Sequence, residues 1–359
     1  MAEPITVLVV DDSALMRTMI THMLSTEKNI KVVGWAEDGL SAIQQVKTLR
    51  PDVVTLDIEM PELDGVAALR AIMHEAPTRV VMLSGDTRPG LAYKALRLGA
   101  VDFVGKPSGT VSYDLKQITS ELIQKINAAA YADLRNLKAM REVSATAFSQ
   151  VERTANVFAK VVAIGSSTGG PRALEQIFRR LAPGFPAAIL VVQHLPVGYS
   201  QALAERLTDV GQVPVKEAAD GDPIRTGQAL LAPGDRHMVV TGGPKGGHVV
   251  KLEMGPPVHR VRPAVDKLML SVAEAYGKRS VGVILSGMGV DGVAGLGAIK
   301  RAGGRTVVQD EATSVVFGMP GAAVEHGLAD RVSPIDEVAQ AVLESLVKTE
   351  KKYEEISLS

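Results

Sequence analysis

Two sets of side chains in this sequence are spaced for chemistry. The first is a loop, Gly165-Ser166-Ser167-Thr168-Gly169, set between an apolar run and an amphipathic stretch. It fits Gly-x-Ser-x-Gly, the strand-to-helix turn that lifts a serine hydroxyl above a sheet edge. A hydroxyl is a weak nucleophile and needs a base. Of the seven histidines, His194 is the best placed, two residues beyond the apolar run Ile189 to Val192. Asp291 lies beyond Val281 to Leu285, in Leu-Ser-Gly-Met-Gly-Val-Asp-Gly. A carboxylate there can hold the imidazole in one tautomer and stabilise its cation. The helix start after the serines would add backbone N–H groups and a partial positive charge, suited to an oxyanion. The local sequence leaves the choice between Ser166 and Ser167 open.

The second set is Asp11 and Asp12 after one apolar run, Asp57 and Ser84 closing two others, and Lys106 after a fourth. At the carboxyl ends of parallel strands these five side chains would share one crevice. Three carboxylates repel one another unless a hard divalent cation such as Mg²⁺ accepts their oxygens. Asp57 would then be the nucleophile toward a phosphoryl group, with Lys106 and Ser84 binding its oxygens. Lys106-Pro107 is a natural place for a cis peptide directing the lysine inward.

Single residues have plainer roles. Each acid alone suits a helix cap or turn, and Asp-Gly recurs at 38, 64 and 291 before helical patterns, as capping would require. His194 alone suits a hydrogen-bonded turn. His237 and His259 are competing bases, ranked lower because neither follows a buried strand near the serines. The glycine loop could instead cradle a phosphate, although it lacks the Walker lysine and does not fit Gly-x-Gly-x-x-Gly.

The elements that must position these groups alternate along the chain. Strands are predicted at Val7 to Val10, Lys31 to Trp35, Val53 to Leu56, Val80 to Leu83 and Asp102 to Val104. Between and after them, Leu40, Ile43, Val46 and Leu49, then Leu115, Ile118, Leu122 and Ile126, recur at helical spacing. The second series is Val161 to Ile164, Ile189 to Val192, Ala229 to Ala232, His248 to Leu252, Val281 to Leu285 and Thr306 to Gln309, with a hairpin around Gly242 to Gly247. Pro171 suits the first turn of the helix after the serines, and Leu174, Ile177, Phe178 and Leu181 give that helix its apolar stripe.

Both halves are therefore predicted as α/β: an N-terminal flavodoxin-like fold and a C-terminal doubly wound, mostly parallel one. The expected divisions are a first domain at 1–127, a helical extension and linker at 128–157, a second domain at 158–347 and a mobile charged tail at 348–359. A length of 359 residues suits two cores. With 39 basic and 40 acidic residues there is no net field to gather nucleic acid. The absence of cysteine excludes disulfides and thiolate chemistry. No apolar run approaches the length of a membrane span and the N-terminus carries no signal pattern, so the protein is read as cytoplasmic, without membrane insertion.

Taken together, the motifs resemble a known family. Residues 5 to 127, with Val-Asp-Asp, Leu-Asp-Ile-Glu-Met-Pro and Gly-Lys-Pro, are similar to response-regulator receivers. Ser-Thr-Gly-Gly-Pro at 167 to 171, Gln-His-Leu-Pro at 193 to 196, Ala-Pro-Gly-Asp at 232 to 235, Arg-Pro-Ala-Val-Asp at 262 to 266 and Ser-Gly-Met-Gly-Val-Asp-Gly at 286 to 292 resemble chemotaxis protein-glutamate methylesterases/protein-glutamine glutaminases, the CheB family. The resemblance implies Ser167 as nucleophile, paired with His194 and Asp291, with Met288 beside the oxyanion site and Thr168 in support. It adds the backbone carbonyl of Glu59 to the metal ligands. It also implies hydrolysis of glutamyl methyl esters on chemoreceptors, with glutamine deamidation, through an acyl-enzyme that needs no cofactor in the hydrolase domain. A chemotaxis histidine kinase would phosphorylate Asp57, shifting the two domains toward an open arrangement, in a monomer. A receiver with a binding output domain, and a nucleotide-binding module built on the glycine loop, are the alternatives.

Overall fold

The structure, a computed structural model, describes residues 3–85, 89–106, 112–137, 160–243 and 247–357, with side chains also left aside at 112–117 and 348–357. The chain divides into two compact units, 1–142 and 143–359. Most of the expected linker, 138–157, and the Lys106-Pro107 peptide lie outside the described residues.

The first unit runs β1 (Ile5–Val10), α1 (Ala14–Ser25), β2 (Ile30–Ala36), α2 (Gly39–Leu49), β3 (Val53–Asp57), α3 (Gly65–Glu75), β4 (Arg79–Ser84), α4 (Pro89–Leu98), β5 (Asp102–Gly105) and α5 (Ser112–Ala130). Its parallel sheet has the order β2-β1-β3-β4-β5. Val7 to Val10 and the apolar residues of β3 and β4 are buried, as expected of strands covered on both faces. The reversal of strand order between β1 and β3 opens a crevice at their carboxyl ends. In α2 the buried face is Gly39, Ala42 and Val46, while Leu40 and Leu49 are exposed. The predicted stripe is off by part of a turn because small residues let the helix sit closer to its neighbours.

The second unit runs β6 (Val161–Ser166), α6 (Gly170–Phe178), β7 (Ala188–Gln193), α7 (Ser200–Val210), β8 (Val215–Glu217), β9 (Ala229–Leu231), β10 (His237–Gly242), β11 (His248–Glu253), α8 (Val265–Tyr276), β12 (Ser280–Ile284), α9 (Val293–Arg301), β13 (Arg305–Gln309), α10 (Gly318–Glu325), β14 (Arg331–Ser333) and α11 (Ile335–Ser357). A seven-stranded parallel sheet has the order β14-β13-β12-β6-β7-β9-β8. The anticipated hairpin is β10 with β11, a separate antiparallel pair. Every residue of β6, β7 and β12 is buried, so these three strands form the centre of the core. The strand order reverses between β6 and β12, and a functional crevice is expected there. The segment from 348, expected as a mobile tail, continues α11 as helix to Ser357. Among the described residues, no helix is long and apolar enough to cross a membrane.

Candidate active site and acid cluster

In the second unit, β6 ends at Ser166 and the chain turns through Ser167 and Thr168 into α6. Gly169, at φ +79°, makes the turn as the residue preceding that helix. A side chain there would need a left-handed conformation and would stand 2.6 Å from Val315 Cβ. The two serines have different fates. Ser166 is fully buried and its hydroxyl donates to Gln193 Oε1 (2.7 Å). Gln193 Nε2 donates in turn to the carbonyls of Ser167 (2.9 Å) and His194 (3.0 Å), tying the two loops together. Ser167 keeps 8 % of its surface open and, among the described residues, no hydrogen bond commits its hydroxyl. Of the two hydroxyls, that of Ser166 is thus committed to a buried hydrogen bond and that of Ser167 is not.

Parallel pairing of β6 with β7 sets Ser166 opposite Gln193, and the His194 amide donates to the Ser166 carbonyl (3.1 Å). The Ser167 amide donates to the Ser286 carbonyl (3.0 Å), just beyond β12. Three adjacent strand ends thus deliver the serine, the imidazole and the loop that carries the acid. His194 Nε2 lies 2.9 Å from Asp291 Oδ2, with side chains 10 % and 2 % exposed. Asp291 also accepts from the amides of Val265 (2.7 Å) and Asp266 (2.9 Å). Burial would raise its pKa, but the His194 hydrogen bond and charge and these two amides outweigh burial and hold it below the usual carboxylate value. His194 Nδ1 is buried without a hydrogen-bond partner, and the described contacts include no bond from it to Ser167. With Nε2 bonded to the carboxylate, Nδ1 is the nitrogen left to take a proton, and such bonds are often long before substrate binds.

Two amides of the turn into α6 are engaged within the protein. Ser167 N–H goes to Ser286, and Gly170 N–H turns back to the Ser167 carbonyl (2.7 Å). Met288 is half-buried and follows Gly287, which is packed so tightly that a Cβ there would stand 2.8 Å from Ser167 Cβ. Thr168 is buried, and its carbonyl accepts from the Ser286 hydroxyl (2.7 Å).

The competing histidines have other duties. His237 is fully buried, with Nε2 on the Pro256 carbonyl (3.0 Å) and Nδ1 accepting from the Ala264 amide (3.2 Å). His259 pairs with Asp266 (2.9 Å). Capping by Asp-Gly holds at two of three places: Asp38 accepts from the Ser41 amide and Asp64 from the Ala67 amide. Asp291 does not cap the helix that follows it, α9, but the start of α8. Its partner in that exchange, Asp266, was not singled out as functional from the sequence.

In the first unit, Asp11, Asp12 and Asp57 present oxygens within 4.8 Å of one another. Lys106 Nζ lies 2.9 Å from Asp11 Oδ2 and 2.7 Å from Asp57 Oδ2. Asp11 Oδ1 accepts from the Ser13 amide (3.0 Å) and Asp57 Oδ1 from the Glu59 amide (3.3 Å). The Lys106 amide donates to the Ser84 carbonyl (2.7 Å), which brings the last two residues of the set to the same strand ends. Burial raises the Asp57 pKa to about 6 despite Lys106, with the Asp11 charge adding to the rise. For Lys106, burial works downward, but hydrogen bonds and charge from Asp11 and Asp57 prevail and raise its pKa. The buried Oδ2 atoms of Asp11 and Asp57 have the Lys106 ammonium as their described partner. One ammonium does not balance three clustered carboxylates, and their hard oxygens fit a Mg²⁺ ion.

Similarity to known proteins gives the family of both units. The family description "CheB methylesterase" matches residues 162–342, and "Response regulator receiver domain" matches residues 7–116. A protein-glutamate methylesterase/protein-glutamine glutaminase of Symbiobacterium thermophilum is 47 % identical over 352 residues, covering 94 % of this chain and 96 % of the relative. One from Pyrococcus horikoshii is 43 % identical over 357 residues, covering 96 % and 95 %. The crystal structure of the Thermotoga maritima CheB methylesterase catalytic domain is 41 % identical, with a TM-score of 0.51, over 52 % of this chain and 99 % of that one. On these grounds the chain belongs to the CheB methylesterase family, with a response regulator receiver domain preceding the methylesterase domain.

Proposed function

We propose that this chain is a cytoplasmic, phosphorylation-activated protein-glutamate methylesterase. Its substrates are glutamyl methyl esters on chemoreceptor signalling helices, and it deamidates glutamines at such sites. The observation that carries the reading is the His194–Asp291 couple beside an uncommitted Ser167 hydroxyl at the central strand ends. The relatives' names supply the substrate class.

Ser167 Oγ attacks the ester carbonyl while His194 Nδ1 takes its proton. Asp291 stabilises the imidazolium that forms. The amide of Met288 is the best candidate to receive the oxyanion, since Gly287 holds that loop against Ser167. Thr168 supports the loop through the Ser286 hydroxyl. Collapse of the tetrahedral adduct breaks the bond to methoxide, which leaves as methanol with the proton from His194. Water then attacks the glutamyl ester on Ser167, giving up a proton to His194, and free glutamate and serine are regenerated. For a glutamine the leaving group is ammonia.

In the receiver, a histidine kinase is the phosphodonor and Asp57 the acceptor. Asp11, Asp12, Asp57 and the Glu59 carbonyl would hold Mg²⁺, which supplies charge neutralisation for phosphoryl oxygens. Ser84 and Lys106 bind those oxygens, and phosphorylation activates the hydrolase. We assign residues 1–127 to control, 158–347 to catalysis and the stretch between them to linkage. The test is methanol release from methylated receptor. Ser167→Ala should reduce it to the background rate, and retention of the wild-type rate would remove the assignment.

A further inference from the structure

The turn that carries Asp291 is held by a second carboxylate. Asp266, the second residue of α8, accepts through Oδ1 from the amides of Gly292 (3.0 Å) and Gly295 (2.7 Å), at the start of α9. Asp291, on the turn into α9, accepts from the amides of Val265 and Asp266 at the start of α8. Each acid therefore caps the other's helix, and the two carboxylates are locked by exchange of their caps. Both are almost wholly buried. The helices approach closely at this point, since a Cβ on Gly295 would stand 2.4 Å from Met269 Cβ.

The remaining oxygen of Asp266, Oδ2, lies 2.9 Å from His259 Nε2. His259 comes from the loop before α8, at φ +51°, and its side chain is 40 % exposed. His259, Asp266 and Asp291 together have the residue types of a metal site. Their carboxylate oxygens, however, already accept N–H groups, so the cluster does structural work through hydrogen bonds. A serine hydrolase needs its carboxylate held to a fraction of an ångström, because the acid aims the imidazole that must reach the serine. Two helix N-termini, with their exposed amides and positive ends, can do this only if the turn between β12 and α9 cannot swing.

We propose that Asp266 is a positioning residue for the reaction: it fixes the turn that carries Asp291, and His259 fixes Asp266 in turn. The inference rests on Asp291 being the carboxylate of the triad. The hydrogen bonds of the Asp266 carboxylate go to Gly292, Gly295 and His259, none to Ser167, so its signature as a positioning residue is a loss of kcat with KM unchanged.

The experiment uses the full chain, a methylated receptor and methanol release, at a temperature where circular dichroism reports each variant folded. Asp266→Ala removes both caps and should lower kcat roughly 10- to 100-fold with little change in KM. Asp266→Asn keeps one carbonyl oxygen for the Gly292 and Gly295 amides and should restore most of that loss. His259→Asn suits the left-handed backbone, leaves the caps intact and should lower kcat several-fold. Wild-type kcat in Asp266→Ala, or no rescue by Asn, overturns the proposal. If Asp266→Ala does not fold, His259→Asn decides the matter, and an unchanged kcat there overturns it. Asp291→Asn in the same assay separates the two ideas. If it stays active, the triad assignment has failed; if it loses activity while Asp266→Ala does not, only the positioning role is lost.

Discussion

Replacing Asp291 by asparagine separates the electrostatic role of this carboxylate from its structural one. Its two oxygens accept three N–H groups: Oδ2 from His194 and Val265, and Oδ1 from Asp266. An amide offers a single accepting oxygen. Placed at Oδ2, it keeps two of the three bonds and turns its NH₂ toward the Asp266 amide. The opposite orientation keeps one bond and forces the wrong nitrogen of His194 to carry the proton. The first orientation is therefore favoured, and the stranded buried donor should cost about 1–3 kcal/mol of stability. The catalytic loss is larger. With the imidazolium about 4 Å away and an effective dielectric near 20, the missing charge is worth about 4 kcal/mol, or roughly 10³-fold in rate. The retained hydrogen bond makes this an upper value, so a fall in kcat of roughly 10²- to 10³-fold is expected. Methanol release gives kcat and KM, and thermal unfolding gives the stability change. The pKa of Asp291 is lowered on folding, so its ionised form contributes stability above the unfolded value of about 3.9, lost as pH falls through the lower folded value. The Asp291→Asn variant should lack that acid-side loss. If kcat stayed within about tenfold of wild type while the melting temperature fell, the carboxylate would be structural and the electrostatic argument wrong.

Ser166→Ala should leave the Gln193 acceptor unpaired and lower stability by about 1–3 kcal/mol in thermal unfolding, with methanol release retained. Loss of turnover in a folded Ser166→Ala protein would shift the nucleophile to that residue. Gly169→Ala forces a side chain into a left-handed turn and against Val315, and should destabilise by about 1–3 kcal/mol and slow turnover; an unchanged melt would contradict the packing argument. Because the Asp57 pKa is raised to about 6 on folding, protons compete with Mg²⁺ below that pH, and affinity should fall about tenfold between about pH 7 and pH 5. In the metal-free protein the same shift makes stability decline as pH rises from the unfolded value toward about 6. Trp35, the one tryptophan, can report the titration: Arg17 stacks on its ring and donates to the Asp11 and Asp12 carbonyls. A flat affinity across that range would refute the shift.

Much of the fold was legible because strands covered on both faces read as short apolar runs, such as Val7 to Val10 and Ile189 to Val192. The acids and the lysine of the receiver could be placed from strand ends alone. What stayed hidden depends on contacts distant in sequence. The strands β8 and β14 have three residues each and lie at sheet edges, too short for a pattern to register. The local sequence does not separate Ser166 from Ser167, which the family resemblance does; the physical difference is Gln193 taking the first hydroxyl. The exchange of caps between Asp291 and Asp266 looked like local Asp-Gly capping, since a helix start gives no sign of which distant acid will serve it. His259 stands out in the sequence only as a competing base, and nothing there tells its pairing with Asp266 from a surface contact.

The central claim is that the hydroxyl of Ser167 is the nucleophile activated by His194. Its most direct test is treatment of the folded full-length protein with a fluorophosphonate, followed by peptide mass mapping. The account predicts one covalent adduct, on Ser167, with methanol release lost in proportion to labelling and labelling suppressed in His194→Gln. An adduct on Ser166, or full turnover by protein labelled at Ser167, would contradict it.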